Sequence, residues 1–443
     1  MRSMPAPTRF SALALLVLIT CSGAFFSIAA RATPLLVIDA KSGEVLVERE
    51  STQPWYPASL TKLMTVYTAL SAVRDGRITL DTPMLVSARA ARMPPSKMGF
   101  APGQQVTLDN ALKMLMVKSA NDLAITIAEG VSGSVEDFAN EMNARAVKIG
   151  MRESHFVNPN GLHADDHYSS ARDMAVVAMA LYRDFPEHSD LYGIGAFRLG
   201  SMIVPTHNGL MGRYPGAEGM KTGFTCPAGL NVVASASHGG RRLIAVVLGY
   251  PSAKARTLEA AKILDEGFAT MGTGRKIGDL PMVGGAPPNM RLKVCGPHRQ
   301  ELTEDDFAIQ VAGVAPPAAS DDSPLAFFRT QPTATPVAVG GVAATAAALN
   351  ARPVFEPIDV YVGPAPGWTG RVAGPVGGVN AVTAQNDSDK SKPAVKPARR
   401  ARPALAKKTA VIDKPTKPAP KKEVSKKLAA HNAPGKAKKS QTN

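Results

Sequence analysis

Ser59 and Lys62 lie three residues apart, a spacing at which a serine nucleophile and a lysine base could act together. They lie in the stretch YPASLTKLMT, where Pro57 and the apolar periodicity that follows predict a helix start. Residues i and i+3 share one helix face, so the hydroxyl and the amine can meet. A serine becomes a nucleophile when a base takes its proton, and a buried lysine near other cations can be that base. A helix cap and a solvated charge are the simpler interpretations, and the stretch alone favours them.

Two further stretches have side chains suited to the same cleft. Ser119 and Asn121, in MVKSANDLA, lie between two helical patterns, where a hydroxyl and an amide could point from a loop. Helix capping is the simpler role for either residue. Lys221, Thr222 and Gly223, in GMKTGFT, lead into a predicted strand. A cation and a hydroxyl there could bind an anion, and the glycine could let a substrate backbone approach closely. A solvated edge strand is the alternative.

The three stretches together are far more specific than each is alone. Active-site-serine β-lactamases and penicillin-binding proteins have Ser-x-x-Lys, Ser-Asp-Asn and Lys-Thr-Gly motifs, and only Ala120 departs from that set. From about residue 33 to 275 the sequence resembles the D-alanyl-D-alanine carboxypeptidases, the low-molecular-mass penicillin-binding proteins. The resemblance extends to PASLTKLMT, PSKMGFAPGQQVTL, ALKMLMVKSANDLA, FVNPNGLH, HYSSARDMA and GMKTGFTCPAGLNVVASA. In that family the middle motif is usually Ser-x-Asn, so Ala120 fits.

The resemblance implies a role for each motif residue in acyl transfer. Ser59 attacks the carbonyl between two terminal D-alanines, and Lys62 is the base for acylation. Ser119 relays protons, and Asn121 holds the substrate amide and Lys62.

The resemblance also assigns the residues that receive the substrate's carboxylate and oxyanion. Lys221 adds positive potential, Thr222 contacts the terminal carboxylate, and Arg256 favours that carboxylate. The backbone N–H groups of Ser59 and Phe224, the residue after Gly223, form the oxyanion hole.

The implied function is a serine D-Ala-D-Ala carboxypeptidase that trims peptidoglycan stem pentapeptides and is acylated by β-lactams at Ser59. D,D-endopeptidase activity on cross-links uses the same residues and stays an alternative. A β-lactamase would need a base for fast deacylation, typically a glutamate, and residues 155–175 contain none. A non-catalytic cell-wall binding protein is the third alternative, which the intact motifs oppose. No cofactor and no nucleic-acid partner are expected.

Strand and helix patterns predict a mixed α/β (α+β) fold of the serine β-lactamase type. LLVID and GEVLVER form one hairpin, and LNVVASAS with RRLIAVVLGY forms another. Helical patterns occupy about 60–74, 107–117, 121–130, 135–149, 170–184 and 253–270. Strands at both ends predict an antiparallel sheet built from both, flanked by helices, with an inserted all-helical region.

Composition divides the chain into four predicted parts. Residues 1–32 resemble a signal peptide cleaved after Ala32, with Arg2 and Arg9 before an apolar run, which predicts a periplasmic protein. The apolar run is long for a signal peptide, so an uncleaved membrane anchor is the alternative. Residues 33–280 form the catalytic domain. Residues 281–385 are rich in Pro, Gly and Ala, with one strand pattern at 355–363.

The fourth part is a basic tail, residues 386–443, which we expect to be disordered. It holds 17 Lys and Arg against 4 Asp and Glu, and so supplies +13 of the net charge of +15. The tail could bind an anionic cell-envelope surface or simply be solvated. The rest of the chain is nearly neutral, which argues against a nucleic-acid binder.

Two other candidate sites are weaker. GLHADDHY places His163, Asp165, Asp166 and His167 close together, but no further ligand set joins them, so a hydrogen-bonded loop is expected and no metal. Cys226 is expected to be a small packed residue. It could pair with Cys295 in an oxidising compartment, although the spacing does not require it.

Overall fold

The computed structural model describes residues 33–297, 310–311, 349 and 354–376. The predicted signal peptide and the basic tail lie outside the described residues. The helices are α1 (Thr61–Arg74), α2 (Ala88–Ala91), α3 (Leu108–Lys118), α4 (Asn121–Ser132), α5 (Val135–Lys148), α6 (Ala171–Asp184), α7 (Ala253–Ala269) and α8 (Arg291–Cys295). No helix among these segments is long and apolar enough to cross a membrane.

The main sheet has five antiparallel strands in the order β2-β1-β9-β8-β7. Its strands are β1 (Leu35–Asp39), β2 (Val45–Arg49), β7 (Ala217–Thr225), β8 (Gly229–His238) and β9 (Arg241–Tyr250). The first and last strands of this sheet in chain order, β1 and β9, are therefore neighbours, as predicted from the two hairpins. The strand that contains the Lys-Thr-Gly motif, β7, lies at the edge of the sheet.

Alternation along the strands divides the core into two layers, because successive side chains point to opposite faces. Leu36 and Ile38 pack towards the helical region, whereas Leu35 and Val37 pack towards α7. The same alternation holds in β9 and, from Val232 onward, in β8. The larger layer also buries α1, α3, α4 and α6, so the sheet is covered on both faces and the helical region is built onto one of them. The predicted fold class is confirmed.

Short strands complete the described structure. They are β3 (Pro83–Leu85), β4 (Gln105–Thr107), β5 (Ala196–Leu199), β6 (Met202–Pro205), β10 (Gln310–Val311), β11 (Val354–Phe355) and β12 (Ile358–Val360). Strand β12 pairs parallel with β5, and residues 361–376 then run across β3, β4 and the end of α4. The described parts of the Pro/Gly/Ala-rich region thus contact the catalytic region.

Candidate active site

The nucleophile candidate Ser59 lies in a short 3-10 turn, Ala58–Leu60, immediately before α1. Ala58 has a positive φ of 50°, which is uncommon for a residue with a side chain. Buried Asn231 of β8 fixes this turn by donating hydrogen bonds to the carbonyl oxygens of Tyr56 (3.0 Å) and Pro57 (3.2 Å). The sheet therefore holds the backbone that presents Ser59.

Lys62 is fully buried, and its side-chain nitrogen faces Ser59. Its Nζ lies 3.0 Å from Ser59 Oγ, 2.8 Å from Asn121 Oδ1 and 2.6 Å from the Asn160 carbonyl oxygen. Burial lowers the pKa of Lys62 well below its ordinary value; Lys221 lowers it further, and Asp122 opposes the shift. An amine in this setting can accept a proton from Ser59.

The middle motif, Ser119 to Asn121, enters the site from the junction of α3 and α4. Ser119 ends α3 in the left-handed conformation (φ 62°), and Asn121 begins α4. Neither side chain caps a helix here. Asn121 donates to the Pro94 carbonyl oxygen (3.0 Å) while its oxygen accepts from Lys62. Ser119 Oγ is buried and has no hydrogen-bond partner within the described part of the chain, which leaves it available to a substrate.

The third motif lies along the sheet edge. Lys221 is buried and donates to the Thr222 carbonyl oxygen at 2.9 Å. Burial, and then the charge of Arg256, lowers the pKa of Lys221 to about 7. This amine therefore changes charge near neutral pH.

All nine predicted site residues come together around one cleft of about 460 Å³. Seven of them line it: Ser59, Ser119, Asn121, Thr222, Gly223, Phe224 and Arg256. Lys62 and Lys221 are buried beside these residues. The cleft thus combines a nucleophile, Ser59, with a base of lowered pKa, Lys62, and has two cations, Lys221 and Arg256, at one end. This arrangement suits acyl transfer from a substrate that carries a carboxylate.

A family comparison agrees with this geometry. The family model described as D-alanyl-D-alanine carboxypeptidase matches residues 23–252, just over half of the chain. The chain belongs to the D-alanyl-D-alanine carboxypeptidase family. This confirms the family predicted from the sequence motifs.

Curated relatives carry the same family name. The carboxypeptidase DacF of Bacillus subtilis is 35% identical over 246 residues, which cover 55% of this chain and 63% of DacF. DacA of Haemophilus influenzae is 37% identical over 244 residues, which cover 54% of this chain and 62% of DacA. The chain thus spans less than two thirds of the length of these relatives.

A solved structure shares the fold. Penicillin binding protein 5 from Haemophilus influenzae aligns with a TM-score of 0.52 at 36% identity, over 54% of this chain and 71% of that one. The low overall score agrees with a match confined to the carboxypeptidase part of the chain.

Sequence reasoning assigned no role to Asn160, Gly161 or His207, which also line the cleft. Asn160 contributes a backbone carbonyl, which no side-chain pattern reveals. His207 lies in VPTHNGL before β7, and burial together with Lys221 and other nearby cations lowers its pKa to about 4. The FVNPNGLH block was the available signal for the first two residues.

The loop that contains His163, Asp165, Asp166 and His167 contacts the first residue of α1. His167 is buried, and its Nε2 lies 2.8 Å from Thr61 Oγ1, while its Nδ1 accepts from the Val157 N–H. Its Nε2 must therefore carry the proton and donate to Thr61. Within the residues that the structure describes, no three His, Cys, Asp or Glu side chains are arranged to hold a metal.

Cys226 corrects the sequence prediction. It is bonded to Cys295 in a disulfide across 69 residues of sequence, rather than being a packed free thiol.

Proposed function

We propose that this protein is a serine D-alanyl-D-alanine carboxypeptidase that removes the terminal D-alanine from peptidoglycan stem pentapeptides. The observation that carries the proposal is the 3.0 Å contact between Lys62 Nζ and Ser59 Oγ inside a cleft with a cation-rich end. The relatives are named D-alanyl-D-alanine carboxypeptidases, which supports the substrate class.

Acylation begins when Ser59 Oγ attacks the carbonyl carbon of the penultimate D-alanine. Lys62 takes the hydroxyl proton as the C–O bond forms, which its lowered pKa favours. The backbone N–H groups of Ser59 and Phe224 stabilise the oxyanion. The peptide bond then breaks, and D-alanine leaves with a proton relayed through Ser119.

The free carboxylate distinguishes the proposed substrate from an internal peptide. Lys221, Arg256 and the Thr222 hydroxyl lie at the same part of the site. Their charge favours a substrate that ends directly after the scissile bond, and this supports carboxypeptidase over endopeptidase work. Water then attacks the acyl-enzyme on Ser59, and Lys62 accepts its proton.

β-Lactams are the proposed covalent inhibitors, because their strained amide presents a carbonyl and a carboxylate to the same groups. The name of the structural relative, penicillin binding protein 5, supports this. Residues 155–175 contain no glutamate to drive rapid deacylation, so a stable adduct is expected rather than β-lactamase turnover.

A periplasmic location is part of the proposal. The disulfide supports it, because such bonds persist in oxidising compartments. The basic tail would add attraction to an anionic envelope surface.

Purified protein incubated with diacetyl-Lys-D-Ala-D-Ala tests the activity through D-alanine release. Fluorescent penicillin should label the wild type once per chain, with the adduct on the Ser59 peptide by mass spectrometry. The Ser59→Ala variant should lose both signals. If the wild type neither releases D-alanine nor is labelled by penicillin, the enzyme proposal is refuted. Labelling of the Ser59→Ala variant would show that another serine reacts. Cross-linked muropeptide measures endopeptidase activity, and sustained penicillin turnover would indicate a β-lactamase.

A further inference from the structure

The turn that follows the Lys-Thr-Gly strand is attached to a distant segment. Residues 226–228 connect β7 to β8, and the disulfide joins Cys226 to Cys295 at the end of α8. The Met290 N–H donates to the Pro227 carbonyl oxygen at 2.9 Å, just before the same helix. The turn thus has one covalent and one hydrogen-bonded link to residues 290–295.

A third link joins the turn to the chain just before the nucleophile. Trp55 is buried, and its indole Nε1 donates to the Ala228 carbonyl oxygen at 2.8 Å. The turn is therefore bonded to Trp55, four residues before Ser59, on one side and to α8 on the other.

The end of β7 is also where the nucleophile and the oxyanion donors meet. A methyl group on Gly223 would stand 3.1 Å from the Ser59 amide nitrogen and 2.9 Å from the Pro57 carbonyl oxygen. Phe224 and Thr225 pair with Leu230 and Gly229, the last residue pairs before the turn. A shift of the turn would therefore move the Phe224 N–H relative to the Ser59 N–H.

We propose that the Cys226–Cys295 disulfide positions the oxyanion hole, by fixing the β7–β8 turn so that the Phe224 N–H faces the carbonyl attacked by Ser59. This inference rests on the proposed function. Cys226 and Cys295 are positioning residues, because neither touches the reacting atoms.

The covalent bond matters because α8 is too short to hold itself in place. It has five residues, of which Val294 is buried, and helices of this length are unstable without tertiary contacts. Residues 290–295 also lie outside the region matched by the family model, residues 23–252. The support for the turn thus comes from beyond the shared catalytic region. Cys226 and Cys295 are both half-buried, so a small dithiol can reach the bond.

The test compares the full-length wild type with the double variant Cys226→Ser/Cys295→Ser. The second-order rate constant of penicillin acylation should fall about tenfold, a part of the hundredfold or more lost when an oxyanion donor is removed outright. The turnover number for the D-Ala-D-Ala peptide should fall in parallel, with KM little changed. The pH midpoint of acylation should stay in place, because Lys62 is untouched.

A second arm needs no substitution. Dithiothreitol should reduce the disulfide to two thiols, itself becoming the cyclic disulfide, and slow the wild type to the rate of the variant. Reoxidation with oxidised glutathione should restore the rate, which irreversible damage would not allow. Val294→Ala keeps the bond while weakening α8 packing, and should retain most of the acylation rate.

Rates are measured well below the melting temperature of each protein. An unchanged acylation rate in both the double variant and the reduced wild type, even with a lower melting temperature, would overturn the inference and leave a purely stabilising bond. An inactive, unlabelled wild type would instead refute the proposed function, so the two failures are distinguishable.

Discussion

Gly161 lies directly against the carbonyl oxygen of Ala58, the residue that precedes the nucleophile. A methyl group on the glycine would overlap that oxygen, and the glycine also has a positive φ of 79°. The neighbouring Asn160 carbonyl accepts from Lys62 at 2.6 Å. One loop therefore sets both the position of the Ser59 turn and the direction of the Lys62 amine.

Gly161→Ala should lower kcat/KM for the D-Ala-D-Ala peptide by about a hundredfold or more, because a displacement of about 1 Å at a reacting group has that effect. Gly76→Ala is the matched control. Its φ is +70°, and nothing lies within 4 Å of the added methyl group. The control should lose some stability and keep its activity. Equal activity losses in both variants would attribute the effect to backbone strain alone.

Lys62→Arg should slow acylation strongly while preserving a positive charge. A guanidinium stays protonated at all accessible pH values, so it cannot accept the Ser59 proton. The expected loss in acylation rate is about a hundred- to ten-thousand-fold, the usual contribution of a general base. In the wild type, the rate should rise with pH as Lys62 loses its proton, with a midpoint below the ordinary lysine value. Stopped-flow labelling from pH 5 to 10 measures both. A variant that retains the wild-type rate would exclude Lys62 as the base.

Lys221 should make substrate binding sensitive to pH near neutrality. Its pKa is about 7, so the free enzyme loses this charge as the pH rises through that value. The attraction for the terminal carboxylate then weakens, and KM should rise by up to about tenfold per pH unit above 7. Lys221→Arg keeps its charge and should flatten this rise. The measurement is KM from pH 6 to 9, and a flat wild-type profile would contradict the assignment.

His167 should make the fold less stable in acid. Burial lowers its pKa to about 3 in the folded protein, against 6.5 for an ordinary histidine, so the unfolded chain binds its proton first as the pH falls. The stabilisation is complete above pH 6.5 and should fall by about 1.4 kcal/mol per pH unit below it. His167→Gln removes this part of the pH dependence of the unfolding free energy. The similar part contributed by His207, whose pKa is about 4, remains. Urea unfolding at pH 7 and pH 5 checks the prediction, and equal slopes in the two proteins would refute it.

The six long helices and the two hairpins of the main sheet were readable from the sequence because local signals agree with the tertiary fold, whereas the short elements β3 to β6 and α2 were not predicted. Ser134, Ser170 and Ser252 each cap the N-terminus of a helix through the side chain, at the starts that periodicity predicts. Gly150 follows α5 with a φ of 92°, as a helix-ending glycine does. The predicted helices match the structure within about two residues.

The parts that were not readable depend on contacts between distant residues. A Cys226–Cys295 bond across 69 residues leaves no periodic trace. The lowered pKa of Lys221 arises from burial beside Arg256, which only the folded chain creates. The Asn160 acceptor is a backbone atom. The sequence could therefore name the reacting side chains but not the surroundings that set their protonation.

The segment 354–376 should stabilise the catalytic region although its composition resembles a linker. The Ala373 N–H donates to the Pro83 carbonyl oxygen, the Leu85 N–H donates to the Ala373 carbonyl oxygen, and both distances are 2.8 Å. Val360 and Ala373 are buried. These contacts join the segment to the β3–β4 pair and to β5.

A chain ending at Pro297 should therefore melt about 5 °C or more below a chain ending at Val376, as expected for a loss of about 2 kcal/mol in a domain of this size. Both chains keep the disulfide, so the difference reports on residues 298–376, and the Ala373→Asp variant below probes the segment 354–376 by itself. Ala373→Asp in the full chain should produce part of the same loss, because it buries a carboxylate against Met84. Scanning calorimetry measures all three proteins. Equal melting temperatures for the two shortened chains would mean that residues 354–376 lie on the surface without stabilising it.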